Sequence, residues 1–249
     1  MSKKISVIIP FFDEINLLTR AINSVLHQTY KNFEIIIIND NPDKKGEILE
    51  IKKKFNNKLI KYIFNKRNIG AGLSRNKGIM VAKGKYIAFL DSDDFWNKNK
   101  LLNQINYMKK NNIKISHTSY GIFDIYNNFL SKRIAKDMDY YDLVKSCDIG
   151  LSTVVVERKL INRYPFPDIK TKEDYVVWLK ISKNGFRLYG LDQILTRWTS
   201  RKKSLSKSIF RKLKDGFKVY NIYEGKNFFE SLICLLRLSL IILKKNDIF

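Results

Sequence analysis

Residues 5–12 (ISVIIPFF) form a nearly unbroken apolar run, the pattern of a strand covered on both faces in a parallel sheet. Behind it Ile15, Leu18, Ile22, Val25 and Leu26 recur at three- and four-residue spacing, the stripe of an amphipathic helix. The alternation then repeats. A second apolar run at 34–39 (EIIIIN) precedes a charged helix over 44–55, a third strand over 59–64 and a helix over 74–82. A fourth strand over 86–90 ends on Asp91-Ser92-Asp93-Asp94. Strands alternating with helices predict an α/β fold with a Rossmann-like, mostly parallel central sheet, doubly wound by helices. Ligands of such a sheet sit beyond the carboxyl ends of its strands.

After Trp96 the rhythm loosens. The pattern predicts a helix over 97–111, strands over 113–120 and 151–157, a loop at Tyr164-Pro165-Phe166-Pro167 and a helix over 174–182. Past Arg197 the composition changes: residues 201–226 hold nine basic and two acidic side chains, and 228–243 are almost wholly apolar. This divides the chain into a domain over 1–206 and a basic and apolar helical extension over 207–249. The apolar stretch is shorter than the ~20 residues that span a bilayer. Glu230, Cys234 and Arg237 fall on one stripe of it, leaving a wide apolar face. The expectation is a helix lying in a membrane interface, with the basic segment drawn to anionic lipid. The alternative is a helix packed on the core or in a dimer.

The net charge of +23 calls for an anionic partner: nucleic acid, a phosphorylated substrate or a membrane surface. Part of that charge reflects a chain crowded with Lys, Asn and Ile, so charge alone does not choose. Two cysteines, Cys147 and Cys234, show neither C-x-x-C nor metal-ligand spacing, against a disulfide framework or a zinc site. The first apolar run is too short for a signal peptide, which sets the expected location in the cytoplasm, peripheral on the inner face of the membrane. His27 and His117 each stand alone, without a ligand-spaced partner, and are not expected to act in catalysis.

Three acidic sites fall at the strand ends. Asp13-Glu14 follow the first run, Asp40 the second, and Asp91 to Asp94 the fourth. Carboxylates facing such a crevice accept hydrogen bonds from a base or ribose, or hold a hard cation that binds a diphosphate. The plainer explanation for Asp13 or Asp40 alone is turn and cap chemistry. It is weaker for Asp91, Asp93 and Asp94, because crowded like charges are costly unless compensated.

The segments ISVIIPFFDE, IIIIND, NIGAGLSRNKG, LDSDD and KEDYVVWL, in that order and spacing, resemble glycosyltransferase family 2 proteins of the GT-A fold over roughly residues 5–206. The resemblance implies a nucleotide-sugar donor whose base lies against Pro10 and Phe12 and meets Asp40, with uracil favoured and guanine the alternative. It runs Asn68 to Gly78 beneath the nucleotide, Gly70 giving close backbone approach. Arg75 there either meets phosphate or braces the acidic crevice; Gly78 serves packing. Asp91-Ser92-Asp93 becomes the D-x-D motif, with Asp93 on Mg²⁺ or Mn²⁺ and Asp91 toward the ribose. Glu173-Asp174 opens a helix, and the resemblance makes Asp174 the general base of an inverting transfer. Trp178, one turn on, belongs to the core or stacks on the acceptor.

The chain departs from the family pattern in places. Asn39-Asp40-Asn41-Pro42 replaces D-D-G-S, Asp13 replaces Asn, and Thr199 stands where His is common. In the loop that closes over the diphosphate, Lys202 and Lys203 are the candidate cations. The expected function is transfer of a UDP-linked sugar to a glycan acceptor, lipid-linked, in surface polysaccharide or lipooligosaccharide synthesis. The alternatives are a non-catalytic sugar-nucleotide-binding or scaffolding relative and, remotely, a nucleic-acid-binding protein. Acidic strand ends argue against the last.

Overall fold

A computed structural model describes residues 4–200 and 209–246. Its centre is a nine-stranded sheet. The strands in chain order are β1 (Ile5–Phe11), β2 (Phe33–Asn39), β3 (Ile60–Phe64), β4 (Tyr86–Phe89), β5 (Phe95–Trp96), β6 (Ile115–Phe123), β7 (Phe129–Arg133), β8 (Val155–Glu157) and β9 (Tyr189–Thr199). Their spatial order is β3-β2-β1-β4-β8-β6-β9-β5, with β7 on the flank of β6. The block β3-β2-β1-β4 is parallel, in register from Ile5↔Phe33 to Phe11↔Asn39 between β1 and β2.

All seven residues of β1 are buried. Ile8 faces a core that holds Ile38, Ile79 and Trp178, whereas Ile5, Val7 and Ile9 face a second core with Leu18, Ile22 and Leu101. An unbroken apolar run is what a strand with cores on both faces requires. The covering helices are α1 (Ile15–Leu26), α2 (Lys45–Phe55), α3 (Ala71–Val81) and α4 (Lys100–Lys110). Gly78 lets α3 lie close on the sheet: a β-carbon there would sit 2.8 Å from Ile8 Cγ2 and 3.0 Å from Ile38 Cδ1. That is the packing role expected of it.

Beyond β4 the sheet is mixed rather than parallel. β8 is antiparallel to both β4 and β6, and β5 to β9. β7 lies antiparallel to β6 because the short link from Phe123 to Phe129 closes a hairpin and cannot carry the crossover a parallel neighbour needs. β9 is a long strand where no strand was expected. Its residues 192–194 are exposed and its register against β6 slips twice, so no two-residue apolar period survives in its sequence. The helix expected over 97–111 starts at Lys100, because Phe95–Trp96 pairs with β9 first.

The remaining helices are α5 (Tyr140–Lys145), α6 (Arg158–Ile161), α7 (Glu173–Lys183), α8 (Ile209–Lys218) and α9 (Phe228–Asn246). A π-helical turn over Val219–Tyr223 joins the last two. α9 packs on α5 and α8 through buried Ser231 and Leu238. Its outward face leaves Phe228, Phe229, Ile233, Leu236 and Leu240 at least half exposed. Among the described residues no helix is long and apolar enough to cross a membrane.

Candidate active site

The carboxyl ends of β1, β2 and β4 meet the start of α7, and Arg75 joins two of these parts. From α3, Arg75 donates through Nη2 to Asp91 Oδ1 at 2.6 Å and through Nη1 to Glu173 Oε1 at 2.7 Å. Its side chain is only 5% exposed. Burial by itself would lower the guanidinium pKa, but Asp91 and then Glu173 outweigh it and raise it, so the group stays charged. A buried cation persists in a fold when paired in this way. Of the two expectations for Arg75, the bracing role is what this geometry performs, since both terminal nitrogens are committed to carboxylates.

Asp174 lies beside this pair, at the second residue of α7. Its Oδ1 accepts the Tyr175 backbone N–H at 2.8 Å. Burial first, then the neighbouring Glu173 charge, push its carboxyl up to about 7, against the opposing pull of Arg75. The preceding Lys172 holds a left-handed backbone, φ 65°.

The turn after β4 is clamped from three sides. Ser152 Oγ accepts the Asp91 N–H at 3.0 Å and donates to Asp94 Oδ2 at 2.6 Å. Thr199 donates its N–H to Asp94 Oδ1 at 2.9 Å and its hydroxyl to the Asp93 carbonyl at 2.6 Å. Arg20 of α1 donates to the same carbonyl at 2.7 Å. Asp94 is buried inside this clamp. Burial, then Asp93 and Asp91, raise its carboxyl well above the usual range. Asp91, Ser92 and Asp93 stay partly open to solvent.

At β2 the carboxylate of Asp40 is turned into the chain. It accepts Asn65 Nδ2 at 2.8 Å, the Ile69 N–H at 2.9 Å and the Gly70 N–H at 2.8 Å, and the residue is 3% exposed. Asp40 therefore secures the loop into α3, its two oxygens accepting three of the roughly four hydrogen bonds a carboxylate can take. Gly70 takes φ 87°, a conformation in which a side chain is strained. Asn41 closes the opposite rim, donating to the Phe12 carbonyl at 3.0 Å. Phe12 is half exposed and Glu14 exposed beside it, whereas Pro10 is buried in β1.

These parts match known proteins. A model described as glycosyl transferase family 2 matches residues 6–170. The chain belongs to glycosyltransferase family 2. Among curated glycosyltransferases of this kind, TuaG of Bacillus subtilis, named for teichuronic acid biosynthesis, is 31% identical over 97% of both chains. WfgD of Escherichia coli, named as a UDP-Glc:α-D-GlcNAc-diphosphoundecaprenol β-1,3-glucosyltransferase, is 36% identical over 84% of this chain and 82% of its own. In fold the chain is similar to S. aureus TarS 1–349 in complex with UDP-GlcNAc, with a TM-score of 0.73, 21% identity and coverage of 93% and 70%. It is also similar to the mannosyltransferase PcManGT of Pyrobaculum calidifontis in complex with GDP-Man and Mn²⁺, at TM-score 0.71, 13% identity and coverage of 94% and 70%. The GT-A likeness covers nearly the whole chain.

Within this family 2 enzyme, no cluster of three or more potential metal ligands occurs among the described residues. A small hard cation does not need one, since it binds through one or two carboxylates plus substrate phosphates. The partly open oxygen set at Asp91 and Asp93 has that chemistry. Trp178 is fully buried and belongs to the core. His117 is buried and pushed down to about 4 by desolvation, and His27 is exposed at a helix end. Lys202, Lys203 and the Ser204-Leu205-Ser206 segment lie outside the described residues. Sequence reasoning missed the clamp of Arg20, Ser152, Asp94 and Thr199; its only local trace was Thr199 in place of the common His.

Proposed function

We propose that this enzyme transfers a sugar, with inversion, from a UDP-linked donor to a hydroxyl of a lipid-linked glycan acceptor in surface polysaccharide or lipooligosaccharide synthesis. The observation that carries the reading is the buried Arg75, which binds the β4 carboxylate Asp91 and the α7 carboxylate Glu173 on its two ends. It fixes the donor side of the site against the start of α7, where Asp174 stands. The acceptor hydroxyl gives its proton to the Asp174 carboxylate as its oxygen bonds to the anomeric carbon. The bond from that carbon to the diphosphate breaks, and the nucleoside diphosphate leaves with the electron pair. Attack opposite the leaving group inverts the centre. A base near pKa 7 is matched to this work at neutral pH.

The donor nucleotide would lie across Phe12 and the Gly70 loop, with Asp91 toward the ribose and Ser92 in the turn between the two acidic residues. Asp93 would hold Mg²⁺ or Mn²⁺, whose charge offsets that of the departing diphosphate. Relatives support the substrate classes: TarS is solved with UDP-GlcNAc, and WfgD is named for a UDP-Glc donor and a diphosphoundecaprenol acceptor.

The 207–249 extension would dock the enzyme on the membrane face where such acceptors reside. Exposed Phe228, Phe229, Leu236 and Leu240 supply the apolar side, and Arg211, Lys212 and Lys214 on α8 supply charge for anionic lipid. The testing experiment is a transfer assay with UDP-sugars and a lipid-diphosphate GlcNAc acceptor, with product configuration read by NMR. An inverted product, lost in Asp174→Asn, supports the proposal. A retained configuration, or full turnover by Asp174→Asn, contradicts it.

A further inference from the structure

A cavity of about 480 Å³ opens between the β6–β7 hairpin and α5. Lys132 and Arg133 of β7, Lys136 just after it and Lys145 at the end of α5 line its wall. Three carboxylates also reach it. Asp137 accepts the Gly190 N–H at 2.9 Å and lies 3.9 Å from Arg187. Asp142 accepts the Asp139 N–H in the capping box that starts α5. Asp148 is the third. Among the described residues, Lys132, Lys136 and Lys145 are in no ion pair within 4.0 Å. Four cationic side chains thus face three carboxylates, with the three lysines open to an anion, and the volume suits a sugar phosphate rather than a whole lipid.

Two further features narrow the occupant. First, the cavity wall runs into the active site. Asp148 lines the cavity, and Ser152, four residues on, holds Asp91 and Asp94. Four residues of chain reach at most about 14 Å. Cys147, next to Asp148, has its thiol pushed up to about 12 by burial and then by the Asp174 charge, so the same segment passes close to the proposed base. Second, the lining includes exposed, apolar Ile134, and Phe129 and Leu130 are exposed farther along β7. Cations in a recess with an apolar edge match the junction of a phosphate and a hydrocarbon chain.

We propose that this cavity is the phosphate subsite of the acceptor: it takes the phosphate or diphosphate that joins the acceptor glycan to its lipid, and Phe129, Leu130 and Ile134 flank the first carbons of that lipid. The assignment rests on the glycosyltransferase reading above and adds the acceptor's anchoring point to it.

The test compares two synthetic acceptors, an undecyl diphosphate ester of GlcNAc and the undecyl glycoside of GlcNAc, in the wild type and in Lys132→Ala, Lys136→Ala, Lys145→Ala and the triple variant. These lysines are exposed, so the fold should survive their replacement. The preference for the diphosphate, measured as the ratio of kcat/KM values, should fall about tenfold for a lysine that bonds phosphate, and further in the triple variant. Lys132→Arg or Lys145→Arg should restore it. A wild type that binds UDP but shows no preference for the diphosphate overturns the subsite and leaves the donor reading standing. So does a preference unchanged in the triple variant. A protein that binds no nucleotide overturns the function reading itself, and the subsite with it.

Discussion

Asp215 on α8 accepts two hydrogen bonds from Thr171, one from its backbone N–H at 3.1 Å and one from its hydroxyl at 2.9 Å. Thr171 stands three residues before Asp174, and Asp215 is 5% exposed. The C-terminal hairpin therefore holds the backbone that enters α7, including the left-handed Lys172. Replacing Asp215 by Ala leaves a buried N–H and hydroxyl without a partner, at about 1–3 kcal/mol. At this chain length, Tm should fall by several degrees. The Asp215→Ala enzyme should keep its UDP affinity and lose kcat, because the affected segment carries the proposed base, Asp174, and not the proposed donor loops. Calorimetric titration beside steady-state kinetics separates the two.

Arg75 gives a second test. Lysine carries the charge but not the fork, so Arg75→Lys cannot serve Asp91 and Glu173 together. Loss of one arm of a buried pair is costly, up to about 3–5 kcal/mol where both charges are shielded. Asp91 is one-third exposed, so the smaller part of that range applies. Thermal unfolding should show Arg75→Lys less stable than the wild type and Arg75→Met less stable again.

The acid limb of the pH–rate profile should report Asp174. A general base acts when deprotonated, and its carboxyl is pushed up to about 7, so kcat should rise with pH through about 7 and then level. Stability should move the other way. A carboxyl raised in the folded state binds its proton there while the unfolded chain has released it. Its contribution is therefore fully present below the ordinary carboxylate range and is lost as pH climbs to about 7. Asp94, raised by burial and then by Asp93 and Asp91, adds in the same direction. Denaturant midpoints at pH 5 and pH 8 check the sign, and Asp174→Asn should reduce the slope.

Thr199 donates to both Asp94 and the Asp93 carbonyl, so Thr199→Val should loosen the turn that carries Asp93. The backbone N–H bond survives that change and the hydroxyl bond does not. Expected is a several-fold weaker donor affinity with little change in Tm, read by titration with UDP.

The parallel half of the sheet was legible because its strands are buried on both faces and its helices carry clean apolar stripes. The positions of Asp91, Asp93 and Asp174 followed from motifs that are short and local. What escaped was made by long-range contact. Thr199 and Asp94 are 105 residues apart, Ser152 and Asp94 are 58, and Asp215 and Thr171 are 44. No local period encodes such pairs. β9 escaped for a different reason: its bulged, half-polar middle erases the alternation that marks a strand. A carboxylate at a strand end invites a ligand contact, and the loop amides that also bind Asp40, those of Ile69 and Gly70, come from 29 and 30 residues further along the chain.

The proposed UDP-sugar site at the end of β4 relies on Asp93. Calorimetric titration of UDP, with and without Mn²⁺, on the wild type, Asp93→Asn and Asp174→Asn tests it most directly. Mn²⁺-dependent UDP binding is expected in the wild type and in Asp174→Asn, and its loss in Asp93→Asn. Binding of UDP that ignores both Mn²⁺ and Asp93, or silence toward UDP, GDP and dTDP alike, would contradict it.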